Sequence, residues 1–272
     1  MAVDWGNDAT RRAKAELIDT TVPNAARVTS YMYGGQDHFE ADRKAAHQLT
    51  AAAPIVASVA PAVRAFQQRV LRFLVTEAGL RQFLDVGTGL PLVGCTHESV
   101  QSLAPECRVA YVDNDPMVLV HARALLRSSP GGAVGYVDAD LRDPDAVVAG
   151  ARETLDFGRP VAVLLLYTLA YIENAARVVR SLAESVAPGS YVAIYHLASD
   201  LDSELKGATD LWNRLMPTQP ITLRSAPEIA DLVAGLDLVP PGLVPVTDWR
   251  PAPGDPECGH PVPVHAVVAR RT

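Results

Sequence analysis

Apolar residues recur along the chain in two rhythms, and the change between them falls near residue 81. Up to that point the spacing is helical and predicts helices over 39–52 and 55–78, with Pro54 and Pro61 as breaks or helix starts. From residue 81 onward, short apolar runs alternate with helix-like segments, the pattern of a parallel sheet covered by helices on both faces. The runs predict strands at 81–86, 108–113, 134–138, 161–167, 190–196, 241–248 and 264–270. Helices are expected over 116–127, with Asp115 as N-cap and Pro116 in first position, over 173–187, stopped by Pro188-Gly189, and over 227–234, capped by Ser225. A long proline-rich connection, not a helix, joins the last two strands, so that pair is expected to be antiparallel.

Composition narrows the class. A chain of 272 residues with 49% apolar content buries one large core. Its net charge of -7, from 31 acidic against 24 basic residues without a long basic block, argues against nucleic-acid partners. Cys95, Cys107 and Cys258 form neither a CxxC pair nor a compact even set, which suggests a reducing cytoplasm and no zinc knuckle. The most apolar stretch, Val161 to Ile172, is too short to span a bilayer, and Asp4 and Asp8 stand where a secretion signal would be basic. No membrane partner is expected. Prolines 240, 241, 245, 251, 253, 256, 261 and 263 make the late connection extended and loop-rich.

The chemistry centres on Phe83-Leu84-Asp85-Val86-Gly87-Thr88-Gly89, an apolar run that breaks into a glycine turn. Without a β-carbon, Gly87 and Gly89 accept positive φ and let a ligand come close to the backbone. A second run, Arg108 to Val112, ends in Asp113-Asn114-Asp115, placing Asp113 24 residues beyond Gly89, near the spacing of a ribose-binding acid. A third, Val134 to Val137, leads into Asp138-Ala139-Asp140-Leu141. Three successive strand ends thus carry a carboxylate. Leu92 occupies the place of the third glycine of a dinucleotide fingerprint, which disfavours a pyrophosphate. S-adenosylmethionine carries no phosphate but a sulfonium, an amino group and a carboxylate, and it suits acidic partners. In that reading Asp85 lies near the methionine amino end, Asp113 accepts from the ribose hydroxyls and Asp140 from the adenine amino group, with Gly87, Thr88, Gly89, Asn114 and Leu141 beside them. The expected fold is α/β: a Rossmann-like, seven-stranded, mostly parallel sheet with an antiparallel last strand, helices on both faces, and a helical N-terminal cap. The cap covers 1–80 and the cofactor domain 81–272.

These segments resemble the class I methyltransferases through Asp85-Val86-Gly87-Thr88-Gly89, Tyr111-Val112-Asp113 and Asp138-Ala139-Asp140-Leu141. Nearly the whole chain resembles a mainly actinobacterial family of S-adenosylmethionine-dependent methyltransferase-like proteins, whose substrates are largely unassigned. The marks are Pro23-Asn24-Ala25-Ala26-Arg27, Gly34-Gly35-Gln36-Asp37-His38-Phe39 with Asp42-Arg43, Phe83 to Pro91, and Pro241-Gly242-Leu243-Val244-Pro245. Thr29-Ser30, Met32, Gln36, His38 and the segment Tyr167 to Ile172 depart from the family pattern, which limits transfer of acceptor-site detail. The resemblance implies that the Gly34-Gly35 segment folds over the cofactor, with Tyr33, Gly34 and Asp37 as contacts. A plain helix-to-helix turn with Asp37 as N-cap accounts for the same residues.

Methyl transfer is an in-line displacement, so the main demand on the protein is alignment and exclusion of water. If an acceptor must lose a proton, His196 and His38 are the candidates, with Tyr31, Tyr33, Tyr167 and Tyr171 to orient it. No spacing singles out a catalytic residue. His47, His97, His121, His260 and His265 are scattered, and metal dependence is not expected. The resulting expectation is a methyltransferase acting on a small molecule. A noncatalytic S-adenosylmethionine sensor and a nicotinamide-dependent oxidoreductase are the alternatives. The acceptor, the methylated atom and the oligomeric state are not legible.

Overall fold

The computed structural model describes residues 18–92, 94–125, 127–255 and 262–272; Asp4, Asp8, Pro256, Cys258, His260 and Pro261 lie outside the described residues. Five apolar runs form parallel strands: β1 (Gln82–Val86), β2 (Arg108–Asp113), β3 (Ala133–Asp138), β4 (Ala162–Leu166) and β5 (Tyr191–Leu197). The late strands β6 (Asp237–Leu238), β7 (Val244–Pro245) and β8 (Val264–Arg270) follow, with β8 antiparallel to β5. The main path through the sheet is β3-β2-β1-β4-β5-β8-β6, and β7 pairs with the remaining part of β8. The sheet has eight strands where seven were expected: β6 lies before the run predicted over 241–248, and that run pairs only as β7. Pro240 and Pro241 offer no N–H to a ladder, and Gly242 turns at φ 88°, so pairing survives only as two short pieces.

Both faces of the sheet are covered, which is why the central strands are apolar without alternation. On one face Phe83, Val109, Tyr111, Leu164, Tyr195 and Val264 join the residues buried by α1 (Ala25–Met32), α2 (Glu40–Ala52), α3 (Val56–Thr76), α4 (Thr96–Leu103) and α8 (Leu205–Leu215). On the other, Leu84, Val112, Leu165, Ile194 and Val267 meet α6 (Pro144–Ala151), α7 (Ala175–Ser185) and α9 (Ala226–Leu232). The remaining helix, α5 (Pro116–Leu125), starts at its proline with Asp115 Oδ1 accepting from Met117 N–H at 2.8 Å, the cap read from the sequence. Ser225 and Glu228 likewise form a capping box at α9.

The N-terminal helices share one apolar cluster with the sheet. Phe66 of α3 is fully buried and meets Trp249 edge-on at 5.5 Å, a ring contact whose burial contributes roughly 2–3 kcal/mol. Pro61 sits inside α3 and does not break it, since the lost N–H bond is outweighed by the buried stripe Val63, Phe66, Val70 and Leu74. Arg69 of the same helix donates to the carbonyls of Trp249 and Val246 and pairs with Asp255, fixing the late connection to the helix. No single described helix is long and apolar enough to cross a membrane.

Candidate active site

Strand order reverses between β1 and β4, and ligands of open α/β sheets lie in the crevice outside such a switch point. Here that crevice is a cavity of about 920 Å³ with two different banks. One bank lies at the ends of β1 to β3 and is acidic. Asp85, at the end of β1, is 6% exposed and accepts from the Thr96 hydroxyl at 2.6 Å. Burial pushes its pKa up to about 6, the Thr96 bond opposes this, and the Asp113 charge adds to it. The chain then turns with Gly87 at φ 72° and Gly89 at φ 66°. A β-carbon on Gly87 would collide with Thr168, whereas one on Gly89 would meet nothing within 4 Å. Asp113 accepts from Gly89 N–H at 3.0 Å and from Asp115 N–H at 2.9 Å, yet burial still raises its pKa to about 6.

Asp140 completes this bank in a different state. Its carboxylate accepts from Arg142 Nε and Nη2, from the Arg142 backbone N–H and from Asn114 Nδ2 at 3.1 Å, which together hold its pKa low. The adenine acceptor expected there is already engaged by these donors. Thr88, Asn114 and Leu141 line the same cavity.

The other bank is phenolic. Tyr167 follows β4, Tyr171 ends the short 3-10 helix Thr168–Tyr171, Tyr195 lies on β5 and Tyr33 closes α1. Tyr167 and Tyr171 meet edge-on at 5.6 Å, and the Tyr167 and Tyr195 rings are 6.4 Å apart. Burial raises the pKa of all four above the ordinary tyrosine value. Tyr167 holds φ at 76°, a left-handed conformation that costs a side chain roughly 1–2 kcal/mol and that clusters at ligand sites. Tyr195 carried no sequence signal, being one apolar position of a buried strand. Arg64 and Gln67, on the cavity-facing side of α3, were missed for a similar reason: their helix reads as core.

The roof is built by α1 and by the loop after α8. Asn24 Nδ2 donates to Asp115 Oδ2 at 2.9 Å, and the next residue, Ala25, donates its N–H to Gln219 Oε1 at 2.9 Å. Asn213 exchanges two bonds with the Ile221 backbone, and Trp212 Nε1 donates to Gln219 O, so the loop holds its shape. Of the three contacts implied for this region, Tyr33 lines the cavity. Gly34 forms the turn after α1, and Asp37 faces His121 at 3.4 Å; neither is among the lining residues. Asp37 is also not the cap of α2, whose N-cap is Phe39 with Asp42 accepting from its N–H.

Neither histidine considered as a base reaches the cavity. His196 is fully buried between Arg224, which donates to Nε2, and the Leu197 carbonyl, which accepts from Nδ1. Burial lowers its pKa to about 4, so it is neutral at pH 7. His38 contacts Arg43 and the Tyr31 ring. At the start of α4 the structure gathers Cys95, His97 and Glu98, with potential ligand atoms within 4.8 Å of one another. Their groups are engaged: Cys95 Sγ and the Tyr111 hydroxyl meet His97 Nδ1, and Glu98 accepts from Gly94 N–H. Burial pushes the Cys95 thiol up to about 11, so it is not a ready thiolate ligand at neutral pH.

The glycine turn, the carboxylates ending β1 and β2, and the sheet order define a class I methyltransferase. The chain belongs to the S-adenosyl methyltransferase family, whose model matches residues 11–272. A DUF574 family protein of Streptomyces avermitilis MA-4680 is 35% identical, with a TM-score of 0.89 over 93% of this chain and 99% of that one. A protein of Thermobifida fusca YX, named as a candidate methyltransferase, is 37% identical, with a TM-score of 0.84 over 93% and 97%. The plantazolicin methyltransferase BpumL, solved with S-adenosylhomocysteine, shares the fold at 12% identity and a TM-score of 0.53 over 97% and 98%. No curated protein matches the chain. The cofactor is S-adenosylmethionine, and the nicotinamide alternative falls away. The residues present fit it: open space at Gly89 for close backbone approach, the buried Asp85 and half-buried Asp113 carboxylates for a cation and hydroxyls, and no third turn glycine for a pyrophosphate.

Proposed function

We propose that this methyltransferase acts on a small molecule enclosed with the cofactor under the α1 roof. The observation that carries this reading is a cavity with one acidic and one phenolic bank. When bound, S-adenosylmethionine supplies a methyl group on a sulfonium. Asp85 receives the methionine amino group, Asp113 the ribose hydroxyls, and the Gly87-Thr88-Gly89 backbone lies against the ligand. Arg64 and Gln67, lining the cavity from α3, suit the carboxylate. Asn114, Leu141 and the Asp140–Arg142 pair bound the adenine end, so the purine is read beside this ion pair and not by a bare Asp140 carboxylate.

The tyrosines and the roof shape the acceptor's place and keep water out, which is where the rate advantage of an in-line displacement arises. A cavity of about 920 Å³ lies within the usual range of small-molecule sites and leaves space beside a cofactor. The two described cysteines, Cys95 and Cys107, are free thiols and support a reducing compartment such as the cytoplasm. Calorimetry with S-adenosylhomocysteine, followed by detection of S-adenosylhomocysteine formed from S-adenosylmethionine with added small acceptors, tests the reading. Tight binding with no turnover on any acceptor class would favour a sensor, and no binding by the folded protein would remove the cofactor assignment.

A further inference from the structure

Beside the main cavity lies a smaller apolar pocket of about 60 Å³, walled by Met32, Val59, Leu197, Leu205, Trp212 and Ile221. It shares Thr29, Tyr33, Tyr167 and Ile221 with the main cavity, so it opens from the phenolic bank and not from the acidic one. One further polar residue in its lining is Thr209, 7% exposed, whose hydroxyl has no hydrogen-bond partner. A buried hydroxyl left unmatched in an apolar wall points to a ligand that matches it.

We propose that the acceptor is an uncharged amine on an apolar body, its body seated in the pocket under Trp212, a polar substituent against Thr209, and its nitrogen facing the tyrosines. This rests on the methyltransferase reading and names the substrate class of that site. Among the described residues no histidine or lysine lines the main cavity; the Asp85, Asp113, Asp115 and Asp140 carboxylates stand on the opposite bank, and Glu173, two residues beyond Tyr171, is exposed to solvent. The four phenols stay protonated at neutral pH and accept no proton from an incoming hydroxyl. An uncharged amine needs no base: its lone pair forms the N–C bond, the C–S bond breaks with its electron pair going to sulfur, and the positive charge passes from sulfonium to ammonium. The proton is lost to water afterwards. Charge is moved and not cancelled, and tyrosine faces favour a cation in either position.

The test uses the full chain saturated with S-adenosylhomocysteine and four probes: phenethylamine, 2-amino-1-phenylethanol, 4-ethylphenol and 3-phenylpropanoate. Both amines are expected to bind in calorimetry, more tightly as pH rises from about 7 toward the amine range near 10, and to be N-methylated when S-adenosylmethionine replaces the product. Thr209→Val is expected to weaken the hydroxylated amine about tenfold more than phenethylamine. Ala208→Phe, which fills the pocket, is expected to abolish amine binding while S-adenosylhomocysteine still binds. Preference for the phenol or the carboxylate, absence of binding by either amine, or unchanged amine affinity in Ala208→Phe would overturn the proposal. Failure of wild-type protein to bind S-adenosylhomocysteine is a different result and overturns the cofactor assignment itself.

Discussion

The Asp113 carboxylate accepts the backbone N–H of Gly89 at 3.0 Å, so the acid ending β2 also holds the glycine turn that follows β1. Asp113→Ala removes the turn brace together with the proposed ribose acceptor. S-adenosylhomocysteine affinity should fall about tenfold to a hundredfold in calorimetry, the range for losing a charged hydrogen bond. Unchanged affinity would place the ribose elsewhere.

Asp85 and Asp113 both have pKa values raised to about 6, chiefly by burial. The proposed binding mode draws on their ionised forms, so affinity for S-adenosylhomocysteine should be level above about pH 7 and fall as pH drops through 6. Their effect on folding runs the other way. Raised from 3.8, they contribute stability that is fully present below about pH 4 and lost as pH rises through 6. Titrations from about pH 5 to 8 that gave a flat affinity would show that neither group meets the ligand.

Gly87→Ala forces a side chain into left-handed φ and into Thr168. The backbone alone costs roughly 1–2 kcal/mol, and relief of the collision displaces the start of the 3-10 helix that carries Tyr171. A lower melting temperature and at least about tenfold weaker cofactor binding are expected. A variant matching the parent in both measurements would contradict this account of the turn.

His196→Asn should lower thermal stability and leave S-adenosylhomocysteine affinity unchanged, because the ring braces Arg224 and does not reach the cavity. With its pKa depressed from 6.5 to about 4, His196 contributes stability present above pH 6.5 and lost as pH falls toward 4. That opposes the two aspartates over an overlapping range, so the melting-temperature gap between parent and variant should be widest above about pH 6.5 and narrow as pH falls toward 4. A loss of cofactor affinity in the folded variant would return His196 to the site.

The parallel strands were legible because burial on both faces leaves unbroken apolar runs, and the carboxylates ending them were legible because each follows its run directly. Helix α6 had its own signal in Asp143-Pro144, an N-cap followed by proline at the first position, which a strand-led reading passed over. Helices α1 and α4 did not: Thr29, Ser30 and Tyr31 in one, and His97, Glu98 and Gln101 in the other, give short polar segments that tertiary contacts hold helical. The motif Pro23 to Arg27 and the distant Asp42 stood out in the sequence without a reason. In the fold Asp42 is fully buried and accepts from Asn24 N–H, Arg27 Nε and Phe39 N–H, so the two motifs form one network. Tyr195 and the small apolar pocket were invisible because they depend on packing between segments far apart in sequence.

Asn24 reaches Asp115 and Ala25 reaches Gln219, so two adjacent residues tie the edge of the acidic bank to the loop beside the phenolic bank. Neither bank can be ordered or loosened without the other feeling it. With cofactor and acceptor placed as proposed, the two ligands are expected to share a coupling free energy: whatever the first contributes to the affinity of the second, the second returns to the first in equal measure, whichever of them arrives earlier.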